Sequence, residues 1–436
     1  MTAFVYLLPC RIYATAGLQS IFWEAGGSVF PFIACIPINL KESKDFMIYV
    51  PLIIIGAGPA GLLSAISAGR VLRGKAGSIL VLDANSEAGA KLLLSGSGQC
   101  NFTNNAPDLQ FLTNCKEFAN YLKPAYYEFN NLALLNFVEE AGCPVFIRQD
   151  GKVFPKTMKA GDLRDTLLAQ AAKLHIDFSY NSRVTGISKR GDSGFVLHLE
   201  SGKTIGCAKL IIATGGASYP QTGSDGRALN LLKSLGHHPI HFRAHLTNLI
   251  ITDYARFSHC AGVSLQAVKV KFKQKQSSFV ATGDLLFTHT GLSGPVIMDN
   301  CHKLASGDTV SLCLVAQPEI LFTKLRENSG KQKLLKALKV TSIPESLLIA
   351  MFSRAGIPLE TPVGNLGRDT QSRICDMLSE LNFHIASVGG INAAMASAGG
   401  IPFTEIRIKS MESRLCPGLY FAGEILDYAL PTGGYN

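Results

Sequence analysis

The stretch YVPLIIIGAGPAGLLSAISAGRV, residues 49–71, decides the fold. Tyr49 to Ile55 is a continuous apolar run, Gly56-Ala57-Gly58-Pro59-Ala60-Gly61 follows, and Leu62 to Val71 returns to helical spacing, which predicts strand, glycine turn and helix. Each glycine has its own task. Gly56 makes the turn, Gly58 lets the backbone approach a pyrophosphate, and Gly61 lets the helix pack on the strand. The N–H groups and dipole at the helix start then favour phosphate. A second buried strand, Ile79 to Leu82, ends in Asp83, where a carboxylate can accept ribose hydroxyls. A bare GxGxxG is a weak signal; between two strands and before a helix it points to a dinucleotide site.

Outward from this unit, Asp162 is expected to cap a helix whose Leu163, Leu167, Ala171 and Leu174 share a face. Stretches around Val184 to Ile187, Phe195 to Leu199 and Thr204 to Cys207 read as a small antiparallel meander, and Lys209 to Gly216 as a buried strand ending in a glycine turn. Residues 217–318 turn β-rich, with Val268, Val270 and Phe272 facing one way and Lys269, Lys271 and Lys273 the other. Residues 319–385 are rich in Leu and Lys and read as helices broken by Pro344, Pro358 and Pro362. The expected architecture is therefore α/β: a nucleotide-binding domain in two parts, 49–216 and 386–436, interrupted by an insert over 217–385. Residues 1–48 are apolar but broken by Arg11, Glu24, Pro31 and Pro37, too short for a spanning helix. A signal peptide with a loose cleavage match at Ala14 and Ala16 is the lesser reading; the favoured one is an upstream extension, with Met47 as the start.

The chain has 436 residues, 47% hydrophobic and 17% charged, which excludes a disordered or low-complexity protein. A formal charge of +9 is spread along the chain, a weak attraction to polyanions without a dedicated nucleic-acid arm. Eleven cysteines include no CxxC pair, so zinc ribbons and thioredoxin-type chemistry are excluded and free thiols in a reducing cytoplasm are expected. Scattered His and Cys give no metal-ligand spacing, and Ser95 and Ser293 lack the setting of a hydrolase nucleophile.

Ala213-Thr214-Gly215-Gly216 and the strand Gly418 to Phe421 ending in Ala422-Gly423-Glu424 resemble the second and third FAD contacts of glutathione-reductase-type flavoproteins. In that resemblance Glu424 bonds the ribityl chain; otherwise it is a solvated strand-end charge. Closer still, Gly89 to Asn104 (GAKLLLSGSGQCNFTN), Gly283 to Pro295 (GDLLFTHTGLSGP) and Met411-Glu412-Ser413 through Pro431-Thr432-Gly433-Gly434-Tyr435-Asn436 resemble three signatures of one bacterial family. These are the NAD(P)/FAD-dependent oxidoreductases with an insert domain, also called the aminoacetone oxidase family. The resemblance runs from about residue 49 to the end. It implies a Rossmann-like FAD domain, an insert roofing the isoalloxazine, and NAD(P)H as a transient reductant, since no second GxGxxG is present. Substrates in the family include carbon–carbon double bonds and uridine of ribosomal RNA. The cofactor contacts expected are Gly56, Gly58, Pro59, Ala60, Gly61 and Asp83; Lys91, Ser95, Gly96, Gly98 and Asn101; Thr214 and Gly215; Gly423 and Glu424; and Gly433, Gly434 and Asn436.

Two departures stand out. Ser97 and Gln99 replace the family's usual Gly and Arg, removing a fixed cation. Members also continue past Gly-Gly-Tyr-Asn into a helix near the flavin, so the second part of the domain is expected to be truncated.

Two residues are candidates for chemistry. Cys100 could give a proton to a substrate carbon, the alternative being a packing residue. His289, between Thr288 and Thr290, could be an acid or substrate contact, or a histidine satisfied within the insert. Lys269, Lys271, Lys273 and Lys275, with Lys331, Lys333, Lys336 and Lys339, could meet RNA phosphates; the alternative is a lysine-protected edge strand and a solvated helix face. The expected function is hydride transfer from NAD(P)H through FAD to an unsaturated or imine-type small molecule. Dihydrouridine synthesis on ribosomal RNA and a non-catalytic remnant are the alternatives.

Overall fold

The computed structural model describes residues 48–191 and 194–436, and upstream of these the backbone of three strands, Arg11–Tyr13, Ile21–Ala25 and Ser28–Phe32, paired antiparallel as a separate sheet. Ala14, Ala16 and Met47, on which the two readings of the N-terminal segment rest, lie outside the described residues. The chain divides into two units, one of residues 1–243 with 396–436 and one of residues 244–395.

The first unit is Rossmann-type. The parallel part of its mixed sheet runs Leu419–Phe421, Thr204–Ile212, Ile48–Ile55, Ile79–Leu82 and Asp177–Ser179, with Ile55 opposite both Leu82 and Ile212, and Ile212 opposite Phe421. This register brings the four strand ends before Gly56, Asp83, Ala213 and Ala422 to one edge. The first strand of this sheet, Ile48–Ile55, lies in its middle and later strands are added on either side, so the edge between Ile48–Ile55 and Thr204–Ile212 is the switch point where α/β sheets bind ligands. The strands read as unbroken apolar runs because both faces are covered. Ile53, Ile55, Leu210, Ile212 and Phe421 enter one core. Ile54, Val81, Ile211 and Tyr420 enter the other, with Leu62, Leu63 and Ile66 of helix Pro59–Val71 and Leu163, Leu167 and Ala171 of helix Ala160–Lys173.

Three expectations change. Thr204–Ile212 is one strand, not a meander strand plus a sheet strand: its first half pairs antiparallel with Phe195–Leu199 and the whole of it parallel with Ile48–Ile55. Asp162 sits inside its helix, which begins at Ala160, and accepts from the Thr157 hydroxyl at 2.5 Å. The insert boundaries move to 244 and 395. Leu229, Leu232 and Leu235 belong to the core of the first unit, so residues 217–243 stay with it.

The second unit is a closed six-stranded barrel of Leu249–Ile251, Gly291–Ser293, Ser278–Phe287, Ser264–Lys273, Thr309–Cys313 and Leu381–Val388, with helices Pro318–Ser329, Glu345–Ala355 and Arg368–Ser379 between its last two strands. Leu381–Val388 closes the barrel against Leu249–Ile251, which is why residue 386 does not begin the return to the first unit. Val268, Val270 and Phe272 point into the barrel while Lys269 and Lys271 are exposed. Because Ser264–Lys273 pairs on both sides, the expected edge strand is corrected: closure leaves no edge for lysines to protect. Among the described residues no helix is long and apolar enough to cross a membrane.

Candidate cofactor site

Gly56 has φ +105°, and a Cβ there would lie 2.4 Å from the Ala213 carbonyl oxygen, so only glycine fits between the two strands. The turn is pinned from both sides: Gly56 N–H donates to Leu82 O (2.7 Å) and Ala213 N–H to Ile55 O (2.8 Å). A Cβ on Gly61 would lie 1.8 Å from Gly56 O, so the helix packs directly on the turn. A Cβ on Gly58 would meet nothing within 4 Å among the described residues. Helix Pro59–Val71 has no side-chain cap and no carboxylate in its first turn, and Pro59 at its start has no N–H to satisfy. Its positive end is therefore left for an anion from outside the helix.

Asp83 holds the turn from the neighbouring strand, accepting from Ala57 N–H (2.6 Å) and Asn85 N–H (2.8 Å). Burial pushes its carboxyl above the ordinary range, against those hydrogen bonds and the Arg183 charge. Each oxygen keeps a lone pair for a further donor.

At the second turn Gly215 has φ +74°, and a Cβ would sit 2.9 Å from Ser224 Oγ. Among the described residues the buried hydroxyls of Thr214 and Ser224 have no hydrogen-bond partner, and neither has Thr103 Oγ1. At the third, a Cβ on Gly423 (φ +77°) would meet Ala60 Cβ at 2.6 Å, so the last strand end rests on the first helix. Glu424 is not a solvated strand-end charge. Its Oε2 pairs with Lys91 Nζ at 2.6 Å, and its Oε1 accepts from Ser397 N–H (2.7 Å) and Ser397 Oγ–H (3.1 Å). Lys91 also donates to Ser218 Oγ (2.6 Å).

The Ser95–Gly98 turn is left-handed at Gly96, Ser97 and Gly98. Ser97, at φ +57°, holds a conformation that costs a side chain about 1–2 kcal/mol. Asn101 ties this loop to the chain end, its amide donating to Thr103 O and accepting from Gly434 N–H, both at 3.0 Å. A Cβ on Gly434 would lie 2.3 Å from Thr103 O, and Asn104 Nδ2 donates to Gly433 O at 3.0 Å. Asn436 folds back, donating to Pro431 O and accepting from Leu430 N–H, each 3.0 Å. Thus Lys91, Ser95 to Asn101, Gly433 and Gly434 belong to one connected region of the first unit.

These residues fit a dinucleotide cofactor. Orphaned hydroxyls at a glycine turn, an uncapped helix start and an open Gly58 are what a phosphate- and hydroxyl-rich ligand would complete. Among the described residues no group of three or more His, Cys, Asp and Glu is placed to hold a metal ion.

Of the two candidates for proton transfer, Cys100 belongs to this connected region and His289 to the second unit. Cys100 has no exposed surface and belongs to the apolar cluster with Phe102 and Leu92; burial pushes its thiol up to about 12. His289 lies in the second unit, exposed in the turn after Ser278–Phe287. Lys333 and Lys339 pair with Glu360 and Glu345. Ser218, Ser224 and Ser397 were not legible as site residues. Only the position of Ser218 just past the Ala-Thr-Gly-Gly turn could have marked it.

The profile of the HI0933-like protein Rossmann domain matches residues 50–436. A ribosomal RNA dihydrouridine synthase of Escherichia coli (strain K12) is 29% identical over 389 residues, 88% of this chain and 93% of that protein. A 3-dehydro-bile acid delta(4,6)-reductase of Clostridium scindens is 28% identical over 396 residues, 88% and 94% of the two chains. The crystal structure of a 3-ketosteroid-delta4-(5alpha)-dehydrogenase from Rhodococcus jostii RHA1 aligns over 91% of this chain and 94% of its own at 13% identity, with a TM-score of 0.46.

Proposed function

The chain belongs to the HI0933-like protein family, and on that premise we propose that it is an FAD-dependent oxidoreductase that takes hydride from NAD(P)H and reduces a conjugated carbon–carbon or imine double bond. The observation that carries the reading is the glycine-built cradle at the switch point, with the buried hydroxyls of Thr214 and Ser224 beside it unpartnered among the described residues. When bound, FAD supplies the two-electron redox chemistry. The start of helix Pro59–Val71 would hold the pyrophosphate, with Gly58 giving it room. Asp83 would accept ribose hydroxyls while keeping the turn in register. Thr214 and Ser224 would complete the polar contacts, and Glu424, fixed by Lys91 and Ser397, would face the ribityl hydroxyls. The names of the two curated relatives both describe reduction of a carbon–carbon double bond, which favours that acceptor class over an imine. The nine described cysteines are free thiols, consistent with a reducing compartment.

The test is an absorbance spectrum of the purified chain, followed anaerobically by NADH and then NADPH. Flavin bands that bleach with either donor are expected. A colourless protein that takes up no added FAD would overturn the reading.

Dihydrouridine synthesis on ribosomal RNA is the second reading, favoured by the row of Lys269, Lys271 and Lys273 along the outside of the barrel. It predicts RNA binding that weakens steeply with salt, and a slope reduced by about one for each lysine–phosphate contact removed. Binding insensitive to salt and to Lys269→Glu with Lys271→Glu would leave a small-molecule acceptor.

A further inference from the structure

Lys91 is a cation held where a merely structural residue is poorly suited. It projects from the short helix Ala90–Leu94 that follows Asp83, and its side chain is 11% exposed beside Glu424 at 19%. Removing both charges from water carries a desolvation penalty that their attraction must offset, and an apolar pair often serves stability as well. The pair therefore asks for a reason beyond the fold.

The hydrogen bonding around it is unequal. Glu424 takes donors from Lys91 Nζ, Ser397 N–H and Ser397 Oγ–H, and Ser218 Oγ stands 3.4 Å from Oε1. Its charge is spread over several partners. Lys91 gives two of its three ammonium hydrogens, one to Glu424 and one to Ser218, each at 2.6 Å. Ser218 and Ser397 are themselves fixed, since Ser397 Oγ accepts from Ala217 N–H (2.8 Å) and Ser218 N–H (3.1 Å). A Cβ on Gly216 would strike Ser397 Oγ at 2.4 Å and Glu424 Cδ at 3.0 Å, so the second glycine turn presses directly on this cluster. The ammonium is thus held by two partners at the ligand-binding edge of the sheet, and among the described residues its third donor has no partner. The nearby Ser95–Gly98 loop contains no cation and is followed by uncharged Gln99.

We infer that Lys91 is the fixed cation of the cofactor site, a positioning residue whose charge favours the reduced, more negative form of bound FAD, with Glu424 as the counter-charge that holds it in place and moderates it. The inference rests on the FAD reading above. A charge near the flavin ring tunes its electronics, and a charge fixed by neighbours acts without reorganising when electrons arrive.

The test is the reduction potential of the bound flavin, by equilibration with a reference dye, in wild type, Lys91→Met, Lys91→Arg, Glu424→Gln and the double variant Lys91→Met with Glu424→Gln. Lys91→Met is expected to lower the affinity for reduced relative to oxidised FAD at least tenfold, a fall of about 30 mV for a two-electron couple. Lys91→Arg should recover most of it. Glu424→Gln should move the potential the opposite way, and the double variant should fall between the two singles. Opposite signs for the two partners separate a charge effect from loss of a structural bridge, whose removal from either side would loosen the site alike. Thermal melts identify any variant that fails to fold; the arginine and glutamine variants then still carry the test, with wild-type-like potential in the first and a raised one in the second. Unchanged potentials in a yellow, folded protein, or shifts of the same sign, overturn the inference alone. A wild-type chain that binds no FAD overturns the functional reading beneath it.

Discussion

Gly58 and Gly61 are three residues apart on one turn, and alanine at each should fail in opposite ways. At Gly61 the new methyl would sit 1.8 Å from Gly56 O. To restore ordinary contact the helix Pro59–Val71 must retreat by about 1.5 Å, and its neighbour is a carbonyl already fixed between two strands. Overpacking of this kind costs about 1–3 kcal/mol, and a backbone partner puts it near the top of that range. Better helix propensity returns about 1 kcal/mol. The net is about 2 kcal/mol, or a fall of about 4–8 °C in the melting temperature of a unit this size. At Gly58 the backbone has φ −73°, which alanine adopts freely, and a Cβ meets nothing within 4 Å. The loss of a glycine N-cap costs below about 1 kcal/mol. The methyl instead fills the space through which a pyrophosphate would approach, so FAD affinity should fall tenfold or more, about 1.4 kcal/mol. The assay is paired: melting of flavin-stripped protein, and FAD titration followed by flavin fluorescence. If Gly58→Ala melts as low as Gly61→Ala, or binds FAD like wild type, then Gly58 is a structural glycine and the cradle has been misassigned.

Other outcomes follow from the same geometry. Cys100→Ala should cost about 1–2 kcal/mol of stability and leave turnover within a few fold; a hundredfold loss in a folded variant would restore the thiol as a proton donor. Among the described cysteines Cys313 alone is not buried, so thiol-reactive labelling of native protein, mapped by digestion, should modify it before the other eight. His237 is buried, with Nδ1 2.6 Å from Glu405 Oε2 and Nε2 2.9 Å from Ser413 Oγ; burial lowers its pKa, with Glu405 opposing. Burial also raises Glu405, but hydrogen bonds from His237 and His238 outweigh it and leave the carboxyl below the ordinary range. Both folded-state values are depressed, so the stability they contribute is fully present above about pH 6.5, the ordinary histidine value, and is lost as pH falls below it, first through His237 and then, below about 4.5, through Glu405. Melts from pH 8 to 5 should show this decline, and His237→Gln should flatten it; an unchanged slope would place the titration elsewhere.

What could be read in the sequence was what local rules govern. Gly56, Gly58, Gly61 and Asp83 lie within one βαβ unit, where turn geometry and strand periodicity fix their places. Val268, Val270 and Phe272 against Lys269 and Lys271 follow the two-residue period of a strand, although not whether that strand lay at an edge. Barrel closure depends on Leu249–Ile251 meeting Leu381–Val388, a pairing across more than a hundred residues that no local pattern announces. The polar cluster is harder still: Lys91 and Glu424 are 333 residues apart, and Ser397 reaches Ser218 across 179. Serine carries no periodic signature, and a strand-end glutamate looks the same whether solvated or fixed. Its environment comes from Gly216 and Gly423, whose missing side chains let Ser397, Glu424 and Ala60 close in. Glycines read as permissive for a ligand are thus equally the reason the protein's own charges meet. That dual role is why substituting Gly216 should shift the flavin potential as well as its affinity, whereas substituting Gly58 should change affinity alone.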